Sequence, residues 1–275
     1  VSKETQPLIV LNIPGIENAF YQEIIRGARV SAKAHGCHLL IHESHLNKGN
    51  MLDFCNLLRR VDAAGVILLN RISEEALDQI RMIAPLVQCC EYNEHADYPY
   101  VSIDDTRAAE IATEYLLSNG GSKIALINGP GNFKYARRRQ EGFMNALRKA
   151  EVMVPKQWIV QLPEVSYEMA YAAVCRLLNS DSRPNAFFTI SDVFAAAVIR
   201  AAKRFHLHVP RDILVVGFDN IELSSMTSPS ITTVNQPKFQ MGYTACEMLL
   251  ELIEDPQEEM KSLLLDTELV IREST

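Results

Sequence analysis

The 275-residue chain has a net charge of −7, 48% hydrophobic residues and 22% charged residues, an ordinary globular composition that can fill one large or two medium cores. The acidic balance excludes the chain as a whole from being a nucleic-acid-binding surface, which needs a basic face. No apolar run approaches the ~20 residues of a membrane-spanning helix. The start, Val1–Pro7, has neither an apolar signal region nor an initiator Met, so a fragment or a processed product is expected.

Strand-like and helix-like segments alternate from end to end. Leu8–Ile13 is predicted as an apolar strand, and Asn18–His35 as a helix with Ile24, Ile25 and Ala28 on one side and Gly36 as its stop. Cys37–His42 and Ala64–Leu69 are predicted strands flanking a helix at Met51–Arg60. Ser73 caps a predicted helix reaching Ile83. Leu86–Glu91 and Tyr100–Ile103 read as strands, and Thr106–Asn119 as a helix closed by Gly120-Gly121. The pattern then restarts. Strands are predicted at Lys123–Asn128, Ile159–Leu162, Ala186–Ile190 and Ile213–Phe218, with helices at Tyr135–Ala150, Tyr167–Asn179, Asp192–Phe205 and Phe239–Glu254. Thr232–Pro237 is β-branched and ends in proline, so it reads as a strand or an extended connector. Leu263–Ile271 reads as one final extended segment.

Repeated strand–helix units of this length imply parallel sheets covered on both faces. Two such series favour an α/β fold of two doubly wound parallel-sheet lobes; a closed eight-unit β/α barrel is the competing architecture. The boundary is expected near Gly129-Pro-Gly131, where turn formers follow a strand. The expected division is residues 8–128 with 237–262 as the N-terminal lobe and 129–236 with 263–275 as the C-terminal lobe, after a residual linker at 1–7. Several crossings between lobes make a hinge, which suits a closing cleft.

Enzyme motifs are missing: there is no GxSxG elbow, Walker loop, GxGxxG after a strand, or HExxH. The six cysteines form no CxxC pair and no zinc spacing, and most lie in apolar segments, which fits a reduced, cytoplasmic compartment. Adjacent Cys89 and Cys90 could be a redox pair, but two strand residues facing opposite sides is the favoured reading. His38, His42 and His45 lack a completing carboxylate or Cys, so neither a metal nor another cofactor is expected. Asp104-Asp105 reads less as a catalytic pair than as a helix cap with its neighbour, and capping is also the role expected of Asp192. Arg137 and Arg138 read as a solvated face.

Polar and aromatic residues instead collect at predicted strand tips. Asn12, Phe20 and Tyr21 follow the first strand; Asn70, and Glu91 with Asn93, follow others. Asp104 follows Tyr100–Ile103. Phe133, Tyr135 and Arg139 follow Lys123–Asn128, Ser191 follows Ala186–Ile190, and Asp219 ends the run from Ile213. Ligands of open α/β sheets sit beyond the carboxyl ends of strands. Acids and an Arg can take sugar hydroxyls in pairs, and aromatic faces can stack on a ring. Taken together, these tips read as a binding cleft.

Longer runs carry a family resemblance. They are Phe20-Tyr-Gln-Glu-Ile-Ile-Arg-Gly27, Val61-Asp-Ala-Ala-Gly-Val-Ile-Leu-Leu69, Ile124-Ala-Leu-Ile-Asn-Gly-Pro130, Arg139-Gln-Glu-Gly-Phe143, Ser191-Asp192, Val209-Pro-Arg-Asp212, Gly217-Phe-Asp-Asn220 and Thr232-Thr-Val-Asn-Gln-Pro237. In order and spacing, across essentially the whole chain, they resemble the effector-binding core of the lactose/galactose repressor family, which has the fold of periplasmic sugar-binding proteins. Asp266-Thr-Glu-Leu-Val-Ile-Arg272, with the Phe20 and Gly217 runs, draws the chain towards nucleoside-responsive members. The resemblance implies that Asp219 holds ligand hydroxyls, that Arg139 contacts the ligand from the second lobe, that Ser191 is a polar contact, that Asp104 is a first-lobe acid near the cleft, and that Phe20 and Tyr21 line the pocket. Relatives often carry a stacking aromatic at the position of Val165, which cannot stack.

The resemblance also implies a homodimer, formed through first-lobe helix faces around Tyr21–Lys33 and Phe239–Glu254, and operator DNA bound through an N-terminal helix-turn-helix domain outside this chain. The expected function is the sensing core of a transcriptional repressor that takes a nucleoside such as cytidine, or a sugar. A secreted solute receptor feeding a transporter is the alternative, opposed by six apparently unpaired cysteines. An enzyme such as a sugar-processing isomerase would need an acid/base pair or metal site that does not emerge.

Overall fold

The computed structural model describes residues 6–256 and 261–275; residues 1–5 of the expected linker and 257–260 of the expected first lobe lie outside them. The chain forms two compact units, one of Val1–Ile103 with Pro237–Leu265 and one of Asp104–Gln236 with Asp266–Thr275.

The first unit opens with β1 (Leu8–Ile13), α1 (Phe20–Ala34), β2 (His38–Glu43), α2 (Met51–Arg60), β3 (Ala63–Leu68), α3 (Glu74–Arg81), β4 (Leu86–Cys89) and β5 (Tyr100–Ile103). The second holds α4 (Asp105–Ser118), β6 (Ile124–Asn128), α5 (Lys134–Lys149), a 3-10 turn at Lys156–Trp158, β7 (Ile159–Gln161), α6 (Tyr167–Leu178), β8 (Ala186–Thr189), α7 (Asp192–Arg204), β9 (Leu214–Asp219), α8 (Leu223–Met226) and β10 (Thr232–Asn235). The chain returns to the first unit for α9 (Lys238–Glu254) and β11 (Leu263–Leu265), then to the second for β12 (Glu268–Val270).

Each unit is a twisted, six-stranded, doubly wound sheet. The orders are β11-β5-β4-β3-β1-β2 and β12-β10-β9-β8-β6-β7. All pairings in the first sheet are parallel, and β12 runs antiparallel on β10 at the edge of the second. The central strands are buried on both faces, as apolar runs such as Ile9-Val-Leu11 and Ile124-Ala-Leu-Ile127 require. On one face of the first sheet, Phe54 and Leu58 of α2 and Leu77 and Ile80 of α3 pack on Val10, Val66 and Leu68; burying each such side chain stabilises by roughly 1.5–3 kcal/mol. Ser73 caps α3 by accepting from Ala76 N at 3.3 Å, as its sequence predicts.

Two boundaries differ from the sequence reading. Residues 104–128 belong to the second unit, because β6 pairs in register with β7 and β8 and α4 packs on α5. A Cβ on Gly142 of α5 would collide with the Thr106 carbonyl, so that helix pair is closed by a glycine. The turn formers at Gly129-Pro-Gly131 only begin a loop inside the second unit. The extended C-terminal segment, in turn, is two short strands: β11 joins β5, and β12 joins β10.

The two helices expected to carry the dimer contact also pack on each other within the first unit. Helices α1 and α9 cross within the first unit with no room at Gly27 or Gly242: a methyl at Gly27 would meet Phe239 O, and one at Gly242 would meet Ile24 O. The faces bearing these glycines are therefore taken, and Arg29 and Val30 lie on the exposed remainder of α1.

Candidate functional site

In sheets of this strand order the direction of winding reverses beside β1 in the first unit and beside β6 in the second, and ligands sit at the carboxyl strand ends near that point. An asparagine occupies this place in both units.

In the first unit, Asn12 near the end of β1 donates through Nδ2 to His42 O at 3.1 Å and lies 2.9 Å from His42 Nδ1. Asn70, just past β3, donates to Asn12 Oδ1 and to Ser44 O, the latter at 3.2 Å. Burial pushes the His42 imidazole below its usual pKa. Phe20 opens α1 and is buried, with Tyr21 edge-on at 5.4 Å. Tyr92 and Tyr100 stack at 3.7 Å. Asn93 is occupied structurally, donating from N to Gln88 Oε1 at 2.9 Å and from Nδ2 to Ile72 O at 3.0 Å. Among the described residues, no group of three His, Cys, Asp or Glu is placed to hold a metal ion.

In the second unit, Asn128 ends β6 and donates to Ala136 O and Gln140 Oε1, each at 3.1 Å. Asp219 ends β9 with φ of +100°, followed by Asn220 at +49°. This positive-φ turn, uncommon outside glycine, carries the carboxylate past the end of the sheet. Gln236 Nε2 donates to Asp219 Oδ1 at 2.7 Å. Asn220 is held by Asn235 Oδ1 at 3.0 Å and by Arg272 Nη2 at 2.8 Å.

Arg139 joins these parts. It is buried on α5, donates through Nε to Asp105 Oδ1 at 2.9 Å and through Nη1 to Ile190 O at 2.7 Å, and its Nη1 lies 3.6 Å from Asp219 Oδ1. Its guanidinium carbon sits 3.6 Å over the Phe218 ring and 5.1 Å from that of Tyr135. Phe133 stacks on Tyr135 at 5.4 Å. Lys134 Nζ donates to Asp105 Oδ2 at 2.8 Å, with both side chains at most 3% exposed. Burial works to raise the Asp105 pKa, but Lys134 and Arg139 more than reverse it and hold the carboxyl below its usual range.

The second unit therefore brings Phe133, Tyr135, Arg139 and Asp219 into one cluster, with Ser191 directly after the carbonyl that Arg139 binds. Phe20 and Tyr21 belong to the first unit. Val165 is 44% exposed in the loop after β7. Asp104 is not a first-lobe acid: it is the first residue of the second unit, and its Oδ1 accepts from Arg107 N at 2.9 Å as the cap of α4. Nor is Asp192 the cap of α7. Ser191 Oγ accepts from Val193 N at 3.2 Å, while the buried Asp192 accepts from Ile221 N at 2.9 Å and Thr233 Oγ1 at 2.5 Å, tying α7 to the segments after β9 and in β10.

Asp105, Lys134 and Gln236 escape the sequence reading. A lysine opening a helix reads as solvated, and at five residues from Arg139 it does not share that residue's helix face, so its spacing carries no signal of the carboxylate that both bind.

Comparisons with known proteins agree with this fold. A family described as periplasmic binding protein-like domain matches residues 113–275. The HTH-type transcriptional repressor CytR of Escherichia coli strain K12 is 33% identical over 277 residues, covering 100% of this chain and 81% of the repressor. A putative transcriptional regulator LacI from Bacillus cereus subsp. cytotoxis superposes with a TM-score of 0.90 at 26% identity, over 98% of this chain and 99% of that one. A LacI family transcriptional regulator from Enterococcus faecium with bound ribose superposes with a TM-score of 0.86 at 25% identity, over 98% of each chain.

Proposed function

We propose that this chain, which belongs to the LacI family of transcriptional repressors and forms their periplasmic-binding-protein-like effector-binding core, senses a nucleoside such as cytidine. Repressors of this family bind small-molecule effectors, dimerise and bind operator DNA.

The observation that carries the reading is Asp219: a carboxylate at a strand tip, in a positive-φ turn, with Oδ1 steadied by Gln236 and with Arg139 alongside. A fixed carboxylate accepts two vicinal hydroxyls, the pattern that a ribose 2′,3′-diol offers. The guanidinium of Arg139, already engaged by Asp105 and Ile190 O, is pre-set in orientation. The aromatic pair Phe133–Tyr135 supplies a surface for a base ring. Ser191, directly after the carbonyl that Arg139 binds, adds a polar contact in the same unit. Asp104 enters only through its cap on α4, and Val165 gives an apolar contact without stacking.

The relative with bound ribose supports the sugar half of this reading and favours a free pentose as the second choice. In the proposed mechanism the effector binds one conformation of the core better than another and so shifts the population that engages operator DNA. The ligand class is tested by isothermal titration of the purified chain with cytidine, uridine, adenosine and ribose. Heat with a nucleoside supports the reading. Heat with ribose alone selects the pentose, and heat with none of them refutes both.

A further inference from the structure

In a regular strand, successive side chains leave on opposite faces, and Cys89 and Cys90 would be kept apart. The structure departs from this. Strand β4 ends at Cys89, and Cys90 has a φ of +68°, in the left-handed region that residues other than Gly, Asn and Asp seldom adopt. This turn brings the two sulfurs to 3.6 Å. The backbone around them is anchored: Cys90 N donates to Val101 O at 2.9 Å, and Cys90 O accepts from Ser102 Oγ at 2.8 Å. Cys89 is wholly buried, whereas Cys90 is partly exposed.

We propose that Cys89 and Cys90 form a redox-active vicinal dithiol, which a hydroperoxide converts to a disulfide between adjacent residues. Cys90, the thiol that solvent reaches, attacks the peroxide; its sulfur is oxidised to a sulfenic acid and the peroxide leaves as an alcohol, or as water from hydrogen peroxide. The Cys89 thiol then attacks the sulfenic sulfur. An S–S bond forms, the S–O bond breaks, and the hydroxyl leaves as water with the Cys89 proton. Overall, two thiols lose two hydrogens and one peroxide O–O bond is reduced. A trans peptide holds neighbouring Cα atoms ~3.8 Å apart, below the ~4.4–6.8 Å of relaxed disulfides. The ring is therefore strained, and strained disulfides are the easily reduced, regulatory ones. The pair lies at the carboxyl end of β4, directly before Glu91 and Tyr92.

The test is hydrogen peroxide treatment of the whole chain, then alkylation under denaturing conditions and tryptic mapping. Peptide 82–107 carries both cysteines and no other. The proposal expects this peptide to lose two hydrogens and to take no alkyl group, and dithiothreitol to restore two alkylation sites. In Cys90→Ser the loss disappears and Cys89 is alkylated once. Should Cys89 prove necessary for folding, the Cys90→Ser comparison still decides. Two alkylated cysteines in the oxidised wild-type peptide, a disulfide from either residue to Cys37, Cys55, Cys175 or Cys246, or Cys90 over-oxidised beside an intact Cys89 thiol would each overturn it.

Discussion

Arg139 donates to Asp105 at 2.9 Å while the same guanidinium lies 3.6 Å from Asp219, so a buried acid behind the arginine sets how it stands beside the acid proposed to hold ligand. The sequence resemblance makes Arg139 a ligand contact; the structure adds that its Nε and Nη1 already donate within the second unit, to Asp105 and to the Ile190 carbonyl.

Asp105→Asn should destabilise the second unit. Lys134 and Arg139 would lose their shared carboxylate in a buried setting, a change that typically costs about 3–5 kcal/mol. Urea unfolding followed by circular dichroism would measure it. A loss below about 1 kcal/mol would show that the ion triad is structurally idle.

Acid should act through the same residue. The folded-state pKa of Asp105 is depressed, so its contribution is present above the unfolded carboxyl value, near ~4, and is lost as pH falls through the lower folded value. Stability measured from neutral pH down to about 3 should therefore decline on the acid side in wild type. The decline should be shallower in Asp105→Asn; equal slopes would assign the acid sensitivity to other carboxylates.

Arg139→Lys should weaken the proposed effector by on the order of tenfold or more, because an ammonium cannot reproduce the forked contacts to Asp105 and Ile190 O. Titration calorimetry reads this directly. Undiminished affinity would remove Arg139 from the site.

Gly27→Ala and Gly242→Ala should each destabilise the first unit by at least ~1–3 kcal/mol, since each added methyl meets partner-helix backbone that cannot yield cheaply. Thermal melts would show it. Unchanged melting would mean that α1 and α9 are not so closely apposed.

The fold was largely legible in the sequence because its periodicities are strong. Leu8–Ile13 and Met51–Arg60 have the bounds that their apolar patterns predict. The domain boundary was misplaced because Gly129-Pro-Gly131 is a conspicuous turn, whereas the passage at Ile103–Asp104 carries only a helix cap. The split of the final segment into β11 and β12 depends on which edge strand is available, and no local propensity reports that. Within the site, Asp219 could be read from its place at the end of an apolar run. Asp105 and Lys134 could not, because their burial is created by each other. Cys90 was misread because strand alternation gives no warning of a positive φ.

The most direct measurement is calorimetric titration of cytidine into the wild-type chain and into Asp219→Asn, with thermal melts of both in parallel. The substitution keeps an acceptor for Gln236 but removes the charge, and hydrogen bonds to charged groups contribute about 1.5–3 kcal/mol. The account predicts measurable binding to wild type, affinity reduced roughly 10- to 100-fold in the variant, and similar melting temperatures. Equal affinity in the two proteins, with both folded, would contradict Asp219 as the hydroxyl-binding acid.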